Sequence, residues 1–337
     1  MTKAMPLSPN TAQPVPPVAP KRYVFLLMNE FSQLSFTCAV EALRLANGYE
    51  DRTFFDWLVL GETGAPVLAS NGLATSVDGG LCELRRQDTL IVVGGDNIGA
   101  NSTLKIMNWL RRQTRLGVAC GALGSGAYTL ANAGLLADRP ATTHWIYHST
   151  FAELFPTVDL RDTLYTLDND RPTCAGGASS IDMMLHLIER DHGRALANHV
   201  SEQMVYTNPR SESQSQRLSL QMRAGTRHAK FAEALDIMGD HIEHPLPPSE
   251  IALMVGISGR QLERLFRKYL DTTPKSFYIG LRLEKARELL FHTKLSLSEI
   301  CFACGFNSQT HFSKSYRTHY GISPSRDVGR VRSVPIT

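Results

Sequence analysis

Basic side chains recur at helical spacing in the stretch Ile257–Leu270. Arg260, Arg264 and Arg267 stand four and three residues apart, with Glu263 between them, so one helix face would present guanidinium groups. Such groups bind DNA phosphates and the edge of guanine. The apolar residues of the stretch predict the opposite, buried face: Leu262, Leu265, Phe266 and Tyr269. The alternative interpretation is a charged face that is only solvated.

A second, shorter helix is predicted just upstream. The run SEIALMVG has Ser249 as its predicted N-cap and Gly256 as its end, and Ser258 would cap the basic helix two residues later. A helix, a tight glycine turn and a second helix form the pattern of a helix-turn-helix. Bundles that never bind DNA also contain such pairs.

This pattern occurs twice in the chain. SEICFACG, from Ser298 to Gly305, superposes on SEIALMVG at an offset of 49 residues, and HFSKSYRTHY superposes on QLERLFRKYL at an offset of 50. The repeat keeps the apolar stripe, and it also keeps a polar face: Thr310, Ser313, Lys314 and Arg317. Recurrence of both faces favours DNA binding.

The last hundred residues resemble the AraC/XylS-type DNA-binding domain, whose two helix-turn-helix units are joined by one long helix. Here that helix is predicted at Pro274–Thr293, and the run CGFNSQTHFSKSYRTHYGISPS is typical of the family. The two recognition helices of one chain would have to lie about 34 Å apart to enter successive major grooves.

The resemblance also implies roles for individual side chains on double-stranded DNA. Base edges would be reached by Arg260, Glu263, Arg264, Thr310, His311, Ser313 and Lys314. Phosphates would be bound by Arg267, Lys268, Arg317 and the helix N-termini capped by Ser258 and Ser308. Gln261 and Gln309 complete the predicted DNA-binding set.

Charge and length agree with a sensor joined to a nucleic-acid binder. From Arg227 onward there are 16 Lys and Arg against 11 Asp and Glu, whereas the preceding residues carry 19 against 21. A length of 337 residues favours about two domains.

No apolar run approaches the roughly 18 residues of a membrane helix, and no signal peptide is indicated. We therefore expect a cytoplasmic, nucleoid-associated protein with no membrane partner.

The six cysteines are expected to be free thiols. Cys301 and Cys304 form a CxxC that could suggest redox or metal chemistry. In the repeat, however, they superpose on Ala252 and Val255, at positions where small apolar residues pack. The sequence therefore predicts core packing there, with no metal site and no cofactor.

The front of the chain alternates predicted strands and helices. The runs YVFLLM, FFDWLVLG, TLIVVGG and LGVAC are apolar enough to be buried strands of a parallel sheet, and amphipathic helical segments separate them. This order predicts a three-layer, flavodoxin-like α/β domain. Its chemistry would lie beyond the strand ends, just after Met28, Val93 and Cys120.

These strand ends resemble the ThiJ/PfpI type of class I glutamine-amidotransferase-like domain. The motifs VVGG, GALGSGAYTLANAGLLADRPATTHW and TCAGGASSIDMMLHLIERDHG carry the resemblance, across Arg22–Tyr206. With the C-terminal half, they resemble the GlxA-type regulators. In the enzymes of this superfamily, a cysteine in a strand-to-helix elbow is activated by a carboxylate and a histidine.

This chain departs from the enzyme pattern. The nucleophile position falls on Gly124, and the position of the activating carboxylate falls at about Ser35, so the domain is predicted to be inactive. Cys120 is the rival nucleophile, and it keeps open an alternative function as a cysteine-dependent hydrolase or deglycase fused to a DNA-binding domain. Ser125 has elbow neighbours but no evident base.

A ligand site remains when the nucleophile is lost. Its predicted residues are Ser35, Gly95, Gly124, Ser125, His144 and Trp145. Backbone N–H groups at Gly95 and at 124–126 could hold a carboxylate. An ammonium could meet an aromatic face, although each candidate ring is also a usual core residue: Trp145, Tyr147, Phe31 and Phe36.

The family resemblance implies the ligand and the partners. It implies a small-molecule effector such as an amino acid or quaternary amine, a homodimer on operator half-sites, contact with RNA polymerase, and activation of transcription. A DNA-binding protein that senses no ligand is a further alternative.

Domain boundaries follow from composition. Residues 1–20 contain six prolines and predict a disordered leader, and TNPRSESQSQR predicts a solvated linker. The predicted divisions are a sensor domain at 21–206, a linker at 207–226, a DNA-binding domain at 227–327 and a tail at 328–337.

Overall fold

The front part of the protein contains one large sheet. The computed structural model describes residues 19–216, 228–292 and 295–327. The strands are β1 (Lys21–Leu27), β2 (Phe55–Leu60), β3 (Val67–Leu68), β4 (Ala74–Thr75), β5 (Thr89–Val93), β6 (Ala119–Leu123), β7 (Pro140–Ala141), β8 (Asp159–Leu160), β9 (Tyr165–Thr166) and β10 (Thr173–Cys174). Six of them form a sheet in the order β2-β1-β5-β6-β10-β9, in which only β9 is antiparallel to its neighbour. The small sheets pair β3 with β4 and β7 with β8.

Helices cover both faces of this sheet. They are α1 (Gln33–Ala46), α2 (Ile98–Asn101), α3 (Leu104–Arg115), α4 (Gly126–Asn132), α5 (His148–Leu154), α6 (Ser179–His192) and α7 (Arg194–Gln203), with short 3-10 helices at Tyr49–Asp51 and Trp145–Tyr147. Alternate residues of β1 enter two separate cores: Phe25 packs with α1, α6 and α7, and Leu26 packs with α3, α4 and α5. The predicted three-layer fold is confirmed.

Strand β6 lies three residues beyond its predicted position. Helix α3 ends at Arg115 with Leu116 as its C-cap, and Gly117 turns the chain with a φ of +89°, a conformation that glycine adopts most readily. The predicted strand at 116–120 is therefore wrong, and Cys120 does not end a strand. Leu123 is the last strand residue, and it leads directly into the elbow before α4.

The back part is all-helical. Its helices are α8 (Ala229–Asp240), α9 (Pro248–Met254), α10 (Gly259–Leu270), α11 (Pro274–His292), α12 (Leu297–Ala303) and α13 (Gln309–Tyr320). The chain turns between α9 and α10 at Gly256 and between α12 and α13 at Gly305, both with positive φ. Two helix-turn-helix units, which the repeat predicts, are therefore joined by α11, the long helix that the family resemblance implies. No helix in the described ranges is both long and apolar enough to span a membrane.

Two local predictions in this part have different outcomes. Ser249 is not the N-cap of α9, because the helix begins at Pro248, whose missing N–H would be unpaired in a first turn anyway. Cys301 and Cys304 are fully buried beside Phe306, in the core of the second unit. Core packing is the role that the repeat predicts for them.

The predicted linker is not a free chain where the structure describes it. Arg210 donates hydrogen bonds to Asp182 through its backbone N, Nε and Nη2 at 2.7–3.0 Å, and Gln216 bonds to the segment 142–145. These polar side chains find partners on the front domain, so residues 207–216 form a strap along it. The rest of the predicted linker from 217 to 226, residue 227, the leader up to residue 18 and the tail from 328 lie outside the described residues.

Candidate nucleic-acid interface and ligand pocket

Helix α10 presents its basic residues to solvent. Leu262, Leu265 and Phe266 are buried, and this burial turns the opposite side of the helix outward. The exposed side carries Arg260, Glu263, Arg264, Arg267 and Lys268. Within the described residues, none of its three arginines pairs with a carboxylate, so their guanidinium groups are available to phosphates and bases.

Helix α13 repeats this arrangement in the second unit. Phe312 and Tyr316 are buried, and Tyr316 donates a 2.7 Å hydrogen bond to Asp327 that fixes the helix on its core. Six of the seven predicted DNA-contacting residues in and before this helix are exposed: Ser308, Gln309, Thr310, His311, Lys314 and Arg317. The two units thus present basic faces at equivalent positions.

Three members of the predicted DNA-binding set have additional or different surroundings. Gln261 forms a capping box with Ser258, because its Oε1 accepts from the Ser258 N–H at 2.9 Å while its own N–H donates to Ser258 Oγ at 3.2 Å. Its side chain therefore fixes the start of α10. Ser313 is half-buried, and the ring of His311 packs 5.6 Å from that of Phe306.

The front domain contains a strand-to-helix elbow at Gly124–Gly126. Gly124 has a φ of +60°, and a Cβ added there would meet no atom closer than 3.8 Å, so the elbow has room for a side chain that this sequence lacks. Gly94 and Gly126 lie in contact, since a Cβ on Gly94 would fall 2.1 Å from the Gly126 nitrogen. The elbow therefore forms in this protein, and a glycine occupies the position predicted for the nucleophile.

Ser35 lies beside this elbow. Its buried Oγ accepts a 2.7 Å hydrogen bond from Gly177 N–H and donates to Ser32 Oγ at 2.9 Å. A Cβ added to Gly176 would lie 2.9 Å from Gly124 Cα and 3.0 Å from Ser35 Oγ. The structure therefore brings the predicted carboxylate and nucleophile positions together, on either side of one glycine, with a neutral hydroxyl in place of the carboxylate.

The carbonyl oxygen of Gly95, beside the elbow, accepts hydrogen bonds from two hydroxyl groups. Ser125 Oγ donates to Gly95 O at 2.6 Å, and the hydroxyl of Tyr147 donates to the same oxygen at 3.3 Å. A Cβ on Gly95 would fall 1.8 Å from Glu30 O, so only glycine allows the loop after β1 to approach so closely. Glu30 itself has a left-handed backbone, with a φ of 60°.

Two carboxylates border this point. Burial raises the pKa of Tyr147 above its ordinary value, and the negative charges of Asp96 and Glu30 raise it further. Glu30 also accepts a 2.6 Å hydrogen bond from Asn97. The sequence prediction for the candidate ligand site did not include either carboxylate. Both lie three residues beyond the end of a strand, at the sheet edge where ligands of such folds bind.

A segment from 142 to 148 forms one wall of the site. Thr143 donates to Gly124 O at 3.1 Å, and His144 Nδ1 accepts from Ile146 N–H and so begins the 3-10 helix. The rings of His144 and Trp145 lie 5.4 Å apart. These two predicted residues are therefore on the wall that contains Tyr147.

Gln216 of the strap is held by this wall. Its Nε2 lies 2.8–2.9 Å from Thr142 Oγ1, Thr143 O and Thr163 O, and its Oε1 accepts from Trp145 N–H at 2.7 Å. Hydrogen bonds thus hold the strap, residues 207–216, to segment 142–148, which also bonds to the elbow through Thr143.

Three predicted contributors to the pocket are unsuitable. Phe31 and Phe36 are core residues with their rings 5.8 Å apart, edge to face, because both pack under α1 against the sheet. The N–H of Gly124 is also unavailable to a carboxylate, because it donates to Cys174 O at 2.9 Å within the sheet.

Cys120 is not placed to act as a nucleophile. Its side chain is fully buried among the residues packed under α3 and α4, and burial raises the pKa of its thiol to about 12. Cys174, at the end of β10, is also fully buried. Desolvation raises the pKa of its thiol to about 11, although its Sγ accepts a hydrogen bond from Gly176 N–H and forms another with the Ser179 hydroxyl. In the described residues no group of His, Cys, Asp and Glu could hold a metal ion.

We expect iodoacetamide at about pH 8 to leave Cys120 of the native protein unmodified while it alkylates Cys82. The reason is that only a thiolate attacks; Cys120 is buried, whereas Cys82 is exposed. Peptide mass spectrometry would measure both sites, and a sample in denaturant, where both should react, is the control. Equal labelling of the two cysteines in the native protein would revive the hydrolase alternative.

Comparison with known proteins matches both parts of the chain. The model of the DJ-1/PfpI family matches residues 21–190, and a helix-turn-helix domain model matches residues 251–328. A solved ThiJ/PfpI family protein from Pseudomonas syringae covers 70% of this chain and 93% of its own at 18% identity, with a TM-score of 0.50. That likeness supports the fold of the front domain.

Curated relatives match nearly the whole length. The chain is 44% identical to the HTH-type transcriptional regulator CdhR of Pseudomonas aeruginosa over 303 residues, which are 90% of each chain. It is 34% identical to the HTH-type transcriptional regulator GlxA of Rhizobium meliloti, over 90% of this chain and 94% of that one. The chain therefore belongs to the family of DNA-binding transcriptional regulators in which a DJ-1/PfpI domain precedes an AraC-type helix-turn-helix domain.

Proposed function

We propose that the front domain of this regulator is a non-catalytic sensor of a small cationic molecule, such as an amino acid or a quaternary amine. In this proposal, the bound effector controls how α10 and α13 engage double-stranded DNA. The observation that carries the proposal is the convergence of Ser125 and Tyr147 on the carbonyl of Gly95, at an elbow where glycine occupies the nucleophile position.

The chemistry around Gly95 favours a cation. Glu30 and Asp96 are close enough to Tyr147 to raise the pKa of its phenol, so an aromatic ring and two carboxylates share one site. Each cation–π contact contributes about 0.5 to 2 kcal/mol, and the carboxylates add charge attraction. His144 and Trp145, on the same wall, would contact the rest of the molecule.

In this proposal, segment 142–148 couples the binding of the effector to the DNA-binding domain. Its Thr143 bonds to the elbow, and its Trp145 bonds to Gln216 of the strap. The 3-10 helix of the wall also contacts α11. Burial lowers the pKa of His148 in the wall, and the positive charge of Lys285 on α11 is close enough to lower it further. A ligand that moved Tyr147 off Gly95 would therefore act on both connections to the DNA-binding domain.

DNA engagement would use the exposed faces of both units. Arg260, Arg264 and Lys314 would contact base edges, and Arg267 and Arg317 would contact phosphates. We expect two copies of the chain to pair on repeated half-sites and to contact RNA polymerase as an activator. Such a protein would act in the cytoplasm, at the nucleoid.

A thermal-shift screen of amino acids and betaines tests the sensor proposal. We expect at least one compound to stabilise the full-length protein, by about 2.7 kcal/mol at roughly 100 times its dissociation constant. Glu30→Gln should reduce that shift, because it removes one carboxylate from the site. Glu83→Gln is the control, since Glu83 is exposed and pairs with Arg112. If no compound raised the melting temperature, the protein would not be a sensor of this class.

The same effector allows the transmission step to be tested. In Gln216→Ala the compound should still raise the melting temperature but should no longer change affinity for DNA, because the strap is released from the wall. Fluorescence anisotropy with a labelled operator measures that affinity. An undiminished effector response in this variant would exclude the strap as the connection.

A further inference from the structure

The two helix-turn-helix units have separate hydrophobic cores that meet in the middle of α11. Leu281 belongs to the core that α8, α9 and α10 form, whereas Leu283 belongs to the core of α12 and α13. Each unit therefore has its own packing. The angle between the units depends on what fixes each of them to the middle of this helix.

Two side chains, one helical turn apart on α11, provide that attachment. The hydroxyl of Tyr278 donates to His241 O, at the end of α8, at 2.7 Å. Arg282 donates to Cys304 O at 2.8 Å and to Gly305 O at 2.7 Å, beyond the end of α12. Residues four apart lie on the same helix face, so one face of α11 holds the end of a helix from each unit.

The surroundings of Arg282 make this attachment specific. Its guanidinium group stacks 4.1 Å from the ring centre of Phe306, and in the described part of the chain it has no carboxylate partner. Two donors to adjacent carbonyls and a stacked ring fix a planar guanidinium in both position and tilt. A lysine could supply the charge but not this geometry.

The units approach closely beside Arg282. A Cβ added to Gly305 would fall 2.6 Å from Ile242 O and 2.8 Å from Glu243 O, so the backbones of the two units are in contact there. Next to this contact is an open cleft of about 620 Å³, lined by Glu243 and His244 on one side and by Asn307 and Ser308 on the other. The cleft leaves room for the second unit to tilt if its attachment is lost.

We propose that Tyr278 and Arg282 are positioning residues that set the distance between the two base-pair subsites read by one chain. The inference rests on the proposed contact of both α10 and α13 with DNA. Two recognition helices fit successive grooves only at one separation and angle. A change of tilt between the units therefore changes which subsite spacing is bound, while the bases read by each helix stay the same.

Selection from a random DNA library, followed by titration of spacer variants, tests this role with the full-length protein. The wild type should select two subsites at one spacing and should lose affinity when the spacer changes by one base pair. For Arg282→Gln we expect the ratio of affinities between the best spacer and its one-base-pair neighbours to fall about tenfold. The base preference within each subsite should be unchanged.

Three further variants make the outcome decisive. Tyr278→Phe keeps the ring and removes only the hydroxyl, so it should reduce the preference for one spacer length less than Arg282→Gln does. It replaces Arg282→Gln in the experiment if that variant does not fold. Lys275→Gln removes an exposed cation from the same helix and should leave spacing unchanged. Arg264→Ala should alter base preference without altering spacing.

The possible failures are distinguishable. A wild type that selected only one subsite would refute the contact of both helices with DNA and, with it, this inference. Two subsites at a spacing that remained sharp in folded Arg282→Gln and Tyr278→Phe would refute the positioning role alone. Loss of one subsite's base preference in these variants would show that the residues only stabilise a unit, and it would also overturn the role.

Discussion

Arg264→Ala is expected to weaken binding to the preferred DNA sequence by about 1 to 3 kcal/mol, roughly 5- to 150-fold in the dissociation constant, and to relax the preference at one base pair. Arg264 is exposed near the middle of α10, on the side opposite the buried Leu262 and Phe266. Its fork of donors can bind guanine with two hydrogen bonds. Alanine leaves those acceptors unpaired.

Lys268→Ala is the matched comparison on the same helix. Its ammonium group lies 5.0 Å from the ring centre of Tyr269 near the end of α10, where a phosphate contact is proposed. Its removal should weaken all sequences about equally and should reduce the salt dependence of binding. Binding titrations on a set of single-base variants at two salt concentrations would separate the effects. Uniform weakening by both substitutions would contradict the assigned roles.

Local patterns predict most of the fold because they report burial. The repeat in the back part places two glycine turns, two exposed basic faces and two small buried cysteines correctly. The faces follow from helical periodicity, and the turns and cysteines follow from superposing one unit on the other. Strand β6 shows the limit of this reasoning. LGVAC and ACGAL are both apolar, and only the turn at Gly117 decides between them. Because of that turn, Cys120 lies within β6 and in the core, and not at the strand end where the sequence analysis expected it.

The candidate ligand site is harder to predict, because its contacts join distant parts of the chain. Motif positions placed Gly124 and Ser35 beside one another, but Glu30 has no signature in sequence apart from following a strand. The strap was missed for a related reason. A segment rich in Ser, Gln and Arg favours solvation unless folded partners exist, and Asp182 and Thr143 are partners that only the tertiary structure provides.

The strap leads to the largest expected effect on stability. Arg210→Ala should destabilise the front domain by roughly 2 to 4 kcal/mol, because it leaves the carboxylate of Asp182 buried with fewer donors. The side chain of Asp182 is fully buried, whereas that of Arg210 is 35% exposed. Solvent screening therefore keeps the loss below that of a fully buried pair. Tyr206, which donates to Asp182 at 2.9 Å, cannot supply the missing charge.

Urea unfolding followed by tryptophan fluorescence measures this loss in the full-length protein. All three tryptophans, Trp57, Trp109 and Trp145, lie in the front domain, so the fluorescence signal reports mainly the unfolding of that domain. Arg112→Ala breaks an ion pair whose partners are both about two-thirds exposed, and it should cost less than about 0.5 kcal/mol. Adding Asp182→Asn to Arg210→Ala should recover part of the stability, because it removes the unpaired charge. If Arg210→Ala were no more costly than Arg112→Ala, the strap would contribute nothing to the domain it lies on.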